Sequence, residues 1–299
     1  MSMPDRGTAA SPPSYAAVPF EARPFAGASF GAEVAGIDLS TSLDARFHAD
    51  AMEALHRHKV LCFREQDLTE DRFRDFALGF GSLEPRIMRY DRGEMHQDLH
   101  RMTNVSPDGT LTAGHQDEAN RYWHTDKSYK PRPSLTTILY AIDVPAAGGE
   151  TEFCNLTAAY RALPQAMRDR IDGLRTHHHW SFAYDGKPGF RKATADEEAL
   201  NPPVEHPLVR THPGTGEKGL YLGYFAADIV GMPKAEGRAL LDELTAHATH
   251  PRFILSHSWR KGDVVMWDNR CLLHRGRPYD HTTQARTLIR AVVQGDVPA

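Results

Sequence analysis

Past residue 130 the chain is a succession of short apolar runs parted by polar turns. Segments 134–144, 174–182, 220–224, 252–257, 263–267 and 287–293 mix β-branched, aromatic and other apolar residues and read as strands. Helical spacing intervenes at 156–171 and at 234–248, where Leu240, Leu241 and Leu244 cluster. A doubly wound parallel sheet needs a helix between most of its strands, and this order does not supply one. The expected architecture is mainly β with peripheral helices, a jelly roll.

Ahead of that region the elements are mixed. Residues 33–39 read as a short strand, and Phe47, Ala51, Ala54 and Leu55 recur at helical spacing within 43–57. Residues 60–63 form a compact apolar strand. Thr69 caps a following helix, and Glu70 and Asp71 in its first turn favour the positive end of the dipole. Phe73, Phe76, Ala77 and Phe80 supply its buried face, and Gly81 its stop. Periodicity then fails from 81 to 122. This long polar stretch, with His96, His100, Asn104 and His115, is expected to be an active-site loop. Residues 1–18, rich in Ala, Ser and Pro, read as a flexible tail, leaving 19–299 as a single domain.

Of the 299 residues 40% are apolar, enough for a sizeable core, and the net charge of −4 is mild. Lys and Arg are scattered, which argues against a nucleic-acid or anionic-membrane surface. Cys62, Cys154 and Cys271 lie far apart, without a paired zinc spacing, and suit a reducing cytoplasm. No apolar run approaches membrane-spanning length, and the first residues lack a signal-peptide pattern. A homo-oligomer is compatible with this composition.

Three signals carry chemistry. The first is Trp123-His124-Thr125-Asp126. On an extended strand His124 and Asp126 face the same way, so an imidazole and a carboxylate can reach one ion. Taken alone this is weak, because a His-x-Asp pair arises easily among 17 histidines. The second is the run 262–274, an apolar strand, a polar turn and a second short strand that delivers His274. Two histidines and one carboxylate make the facial triad of non-haem Fe(II) oxygenases, with positions left open for co-substrate and O2. The third is Arg286 and Arg290, four apart and therefore on one face of the last strand. A guanidinium fork suits a carboxylate, and one beside the metal would anchor the distal carboxylate of a 2-oxo acid.

With these residues in view, the chain resembles the taurine and 2,4-dichlorophenoxyacetate dioxygenase family of Fe(II)/2-oxoglutarate enzymes. The likeness is carried by WHTD at 123–126, GGETEF at 148–153, HPLVRTHPGTG at 206–216 and WDNRCLLHRGRPYD at 267–280, in that order. GGETEFCN and PKAEGRALLDEL place it nearest the phenoxyalkanoate branch. The resemblance implies a double-stranded β-helix with His124, Asp126 and His274 as iron ligands. It implies that Thr151 and Arg286 hold the distal carboxylate of 2-oxoglutarate, and that Arg290 meets the anionic group of the prime substrate. Asn120 matches a position near the substrate, and Trp267 a tryptophan beside the metal pocket. Asp126 stands where halogenating relatives carry a small non-ligating residue, which implies hydroxylation. The implied reaction consumes O2 and 2-oxoglutarate, releases succinate and CO2, and hydroxylates a small anionic substrate. An aryloxyalkanoate is expected, with sulfonates and sulfate esters as alternatives.

Other features read more plainly. His177, His178 and His179 alternate faces and lack a spaced carboxylate, although one of them could face the barrel interior. His212 reads as structural, Tyr221 and Tyr224 as wall or core, and Cys271 as a small buried hydrophobe. Tyr90, His96 and His100 could contact substrate or be solvated. Gly148-Gly149 is no phosphate cradle, since no GK[ST] follows; it is expected to turn Thr151 into place. Two other classes compete. A β-sandwich binding protein with a structural metal would not need the triad, Thr151 and Arg286 together. A zinc hydrolase would need a general base, and no HExxH is present.

Overall fold

The computed structural model describes residues 21–85, 96–112, 118–183 and 193–299. The tail expected over 1–18, and Tyr90 and His115, lie outside them. The first elements are β1 (Glu21–Pro24), β2 (Ala32–Ala35), α1 (Ala45–His58), β3 (Val60–Phe63), α2 (Glu70–Leu78) and β4 (Leu99–Thr103). Then come β5 (Ser134–Asp143), β6 (Thr151–Asn155), α3 (Leu156–Arg161), α4 (Gln165–Ile171), β7 (Arg175–His178), α5 (Ala195–Leu200) and β8 (Val204–Pro207). The chain closes with β9 (Val209–Thr211), β10 (Lys218–Leu220), β11 (Ala226–Ile229) and α6 (Lys234–Ala248). After these follow β12 (Ile254–His257), β13 (Val264–Asp268), β14 (Leu272–Gly276) and β15 (Thr287–Gln294).

Seven strands pair in the order β1-β2-β3-β13-β5-β15-β4, and β12-β6-β14 form a smaller sheet. The alternation of side chains along each strand decides which face meets what. Val60, Cys62, Leu139, Ala141, Val265, Trp267 and Leu288 of the large sheet pack against Phe153, Leu255 and Leu272 of the small one, forming the jelly-roll interior. Their neighbours Leu61, Phe63, Ile138, Tyr140, Val264, Met266 and Ile289 point the other way, under Phe47, Leu55, Phe73 and Phe76 of α1 and α2. A third cluster seats α3 and α6 behind the small sheet through Leu156, Leu240, Leu241, Leu244 and Leu273. The fold is thus the jelly roll that the strand spacing anticipates, the double-stranded β-helix that the family resemblance implies.

Several local expectations hold. Strand 60–63 and helix 234–248 fall where the sequence puts them, and Thr69 caps α2 by accepting from Arg72 N. Others are corrected. The single helix expected over 156–171 is two, because Pro164 lacks the N–H to continue α3 and instead sits at the start of α4. Helix α2 stops at Leu78, with Gly79 as its cap. The 81–122 stretch is not all loop: it contains β4, the edge strand of the large sheet, paired with β15. Residues 123–126 form no strand; His124 makes only an isolated bridge to His274. Among the described residues no helix is long and apolar enough to cross a membrane.

The aromatic seam between α2 and the large sheet makes one prediction. Phe76 is 2% exposed and sits 5.4 Å from Phe63 and 5.2 Å from Phe80, ring centre to ring centre. Phe76→Ala should lower unfolding free energy by about 3–5 kcal/mol, read from urea denaturation midpoints.

Candidate active site

His274 arrives on β14, and the segment ahead of Asp126 is tied to it directly. His124 N donates to His274 O at 3.0 Å and His274 N donates to His124 O at 2.7 Å. Two residues that exchange both backbone hydrogen bonds face each other with side chains on the same side. The imidazole centres are accordingly 4.2 Å apart. Asp126 completes the group, with Nε2 of each histidine 3.8 Å from one of its oxygens. One donor atom from each of the three lies within 4.8 Å of the others, and all three residues are buried.

The surroundings set the state of these donors. His124 Nδ1 donates to Tyr122 O at 2.8 Å, which turns Nε2 toward the space it shares with Asp126. Burial pushes the His274 pKa well below its ordinary value, and the His124 ring adds to this against the opposing pull of Asp126. His274 is therefore held as the neutral, metal-competent imidazole. Burial alone would protonate Asp126. Arg290 and the Thr137 hydroxyl oppose it, and the carboxyl is held well below the usual range. Arg290 touches Asp126 Oδ1 at 2.6 Å, and Thr137 Oγ1 donates to Oδ2. Thr137 in turn accepts from Asn269 Nδ2 at 3.0 Å, and Asn269 Oδ1 accepts from Trp267 Nε1 at 3.1 Å. Trp267 also lays its ring 4.7 Å from that of His274. Two imidazoles and an ionised carboxylate, with His124 and Asp126 oriented by outer hydrogen-bond partners and His274 packed on Trp267, fit a divalent metal with open positions.

The same cavity collects Asn120, Thr151, Trp267, Arg286 and Arg290 beside the triad. Gly148 and Gly149 take φ of +79° and +73°, and a Cβ on Gly148 would stand 2.7 Å from Pro278 O, so the turn needs glycine there. It leads straight into Thr151. Trp259 Nε1 donates to Thr151 Oγ1 at 3.0 Å, which leaves the threonine hydrogen to be donated into the cavity. Arg286 Nε is buried and makes no hydrogen bond among the described residues. Burial lowers the Arg286 pKa, with the Tyr279 phenol its only counterweight. A guanidinium placed this way calls for an anion, and a carboxylate of 2-oxoglutarate fits its fork. Arg290 differs. Burial works against its charge, but Asp126 more than restores it.

The remaining sequence candidates lie elsewhere. None of His177, His178 and His179 lines this cavity. His177 Nδ1 pairs with Asp228 at 2.6 Å, His178 stacks on Tyr221, and His179 bonds Ser181. His212 holds Asp268 at 2.9 Å, a structural role shared with Arg270. Burial pushes the Cys271 thiol well up, so it is no nucleophile, and pushes the Tyr221 phenol up to about 12. Tyr224 stacks on Tyr122 at 4.8 Å. His96 pairs with Asp71, whereas His100 lines the cavity with Met102 and Leu139. Sequence reasoning did not find Thr137, Asn269 or Trp259. Asn269 alone stood in a quoted motif, between Trp267 and His274.

The family model for taurine catabolism dioxygenase TauD, TfdA family, matches residues 21–292. A 2,4-dichlorophenoxyacetate dioxygenase of Burkholderia sp. (strain RASC), named as alpha-ketoglutarate-dependent, is 39% identical over 277 residues, 89% of this chain and 92% of that one. An (S)-phenoxypropionate/alpha-ketoglutarate-dioxygenase of Sphingobium herbicidovorans is 34% identical over 90% of this chain and 93% of its own length. Among solved structures, AAD-2 in complex with Mn(II) and N-oxalylglycine superposes with a TM-score of 0.83 at 35% identity, covering 94% of this chain and 98% of that one. With the match spanning nearly all the described strands, the chain belongs to the TauD/TfdA dioxygenase family.

Proposed function

We propose that this 2-oxoglutarate-dependent non-haem iron dioxygenase oxidises a small aryloxyalkanoate, or a close anionic analogue, in the cytoplasm. His124, Asp126 and His274 hold the iron, Arg286 and Thr151 hold the distal carboxylate of 2-oxoglutarate, and Arg290 meets the substrate's anionic group near Asn120. The observation that carries this reading is the oriented triad in one cavity with the unpartnered Nε of Arg286. When bound, iron supplies O2 activation coupled to decarboxylation of 2-oxoglutarate, giving succinate and CO2.

The chain's own residues supply placement. Arg290 stands against Asp126, so an anion on its fork lies close to the metal ligands, and the carbon next to that anion is the one presented. Met102 and Leu139 offer apolar wall for a ring. One oxygen atom inserted at a C–H beside an ether oxygen makes a hemiacetal. Its C–O bond then breaks, the hydroxyl proton passes to the departing phenolate, and a phenol and a 2-oxo acid result. The cytoplasmic placement is supported by three free, buried cysteines, as expected where thiols stay reduced.

The test is anaerobic addition of Fe(II) and 2-oxoglutarate, followed by phenoxyalkanoates. A weak visible charge-transfer band that shifts with substrate, and succinate formed in step with phenol once O2 is admitted, are the expected results. Bound iron without such a band would sink the reading. His124→Ala and His274→Ala should each lose Fe(II) binding in calorimetry while melting like the parent. Asp126→Ala should also cost about 3 kcal/mol in the metal-free protein, because it strips Arg290 of its partner. Arg290→Ala should raise the KM for prime substrate well above any change for 2-oxoglutarate; the reverse pattern would swap the two arginines. Because burial lowers the His274 pKa, protons compete with metal only at acid pH. The His274 ring, followed by NMR in the metal-free protein, should therefore stay neutral through about pH 6.5, where an ordinary histidine protonates, and titrate well below it.

A further inference from the structure

Arg286 owes little of its place to β5. β15 begins at Thr287, and its pairing with β5 slips there: Thr287 faces Asp143 while Leu288 faces Ala141. Arg286 lies just ahead of this irregularity, outside the strand. A single side chain takes over from the ladder. Asn104 Oδ1 accepts from Arg286 N at 2.7 Å, and its Nδ2 donates to His281 O and to Gln284 O, both at 2.9 Å. Its main chain joins in. Asn104 N donates to Arg286 O at 3.3 Å, and Asn104 O accepts from Thr112 N at 2.8 Å.

Asn104 is 3% exposed, so these groups have little water to fall back on. A planar amide offers two donors and one acceptor on one rigid head, and here they meet two inward carbonyls and one N–H of the 281–286 turn. The turn is also fastened on its far side. Gln284 Oε1 accepts from Ala146 N at 2.7 Å, next to the Gly148-Gly149 turn that leads to Thr151. A Cβ built on Gly149 would lie 3.5 Å from Arg286 Nε, so the glycine turn runs close beside the guanidinium.

We propose that Asn104 is the positioning residue for Arg286: by gripping the 281–286 turn it aims the guanidinium at the distal carboxylate of 2-oxoglutarate. This rests on Arg286 being the residue that holds that carboxylate. Asn104 acts only through Arg286, so the two substitutions should not add.

The experiment is a double-substitution cycle on the full chain loaded with Mn(II), with 2-oxoglutarate affinity measured by calorimetry in the parent, Asn104→Ala, Arg286→Ala and the pair. Asn104→Ala should weaken 2-oxoglutarate about 10- to 100-fold, the range for a lost charge-assisted bond, with Mn(II) affinity unchanged. In the Arg286→Ala background it should cost nothing further. Equal losses in both backgrounds, or a matching fall in Mn(II) affinity, would mean a general loosening and overturn the proposal. Unchanged affinity in Arg286→Ala would overturn its premise, whereas a loss there but none in Asn104→Ala would overturn the positioning role alone. If Asn104→Ala does not fold, Asn104→Ser, which keeps an oxygen near Arg286 N, is read through the same cycle.

Discussion

Two backbone hydrogen bonds between His124 and His274 hold the site together. Among the described residues they are the only β-type pairing the 123–126 segment makes, and they cross from a stretch without a strand to the edge of the small sheet. Further bonds from Tyr224 N to Trp123 O and from Thr125 Oγ1 to Asn269 O hold the segment at that height against His274. The bridge explains how a set of ligands can be rigid although two of its members lie outside regular structure. Burial does the rest, disfavouring the charged form of the His274 ring while Arg290 and Thr137 keep the carboxylate ionised. Position comes from the main chain and charge state from the environment, and each is useless without the other.

Around that bridge the site is assembled from both sheets. The small sheet supplies His274 and Thr151, and the large sheet supplies Arg290, Thr137 and Trp267, with Arg286 at its margin. The outer partners follow the same division. Trp259 steadies Thr151 from the side of the small sheet, and Asn269 links Thr137 to Trp267 beneath the carboxylate. Preorganisation of this kind lets the binding groups act without first being collected.

Much of this was legible in the sequence, for physical reasons that can be named. The strand spacing after residue 130 reported the jelly roll, because the runs 134–144, 263–267 and 287–293 alternate between a helix-covered face and an interior face. The spacing of His124 and Asp126 and the position of His274 pointed to the three residues that the structure brings within 4.8 Å of one another. What stayed hidden depends on partners remote in sequence. β4 escaped because its inner face, His100 and Met102, lines a cavity and its outer Arg101 pairs with Glu70 of α2, so no apolar alternation marks it. Thr137 and Trp259 look like ordinary strand and turn residues until their partners are brought up. The break at Pro164 was visible in principle, since a proline inside a helical pattern is a stop signal.

The division of the co-substrate residues has a mechanical meaning. Thr151 opens a strand of the small sheet, and Arg286 stands at the entry to a strand of the large one. If both grip the co-substrate as proposed, a dicarboxylate seated between them would be a strut from one sheet to the other. Any breathing of one sheet against the other would stretch it. The co-substrate would then also be a brace between the two sheets, and each turnover would remove that brace and demand a new one.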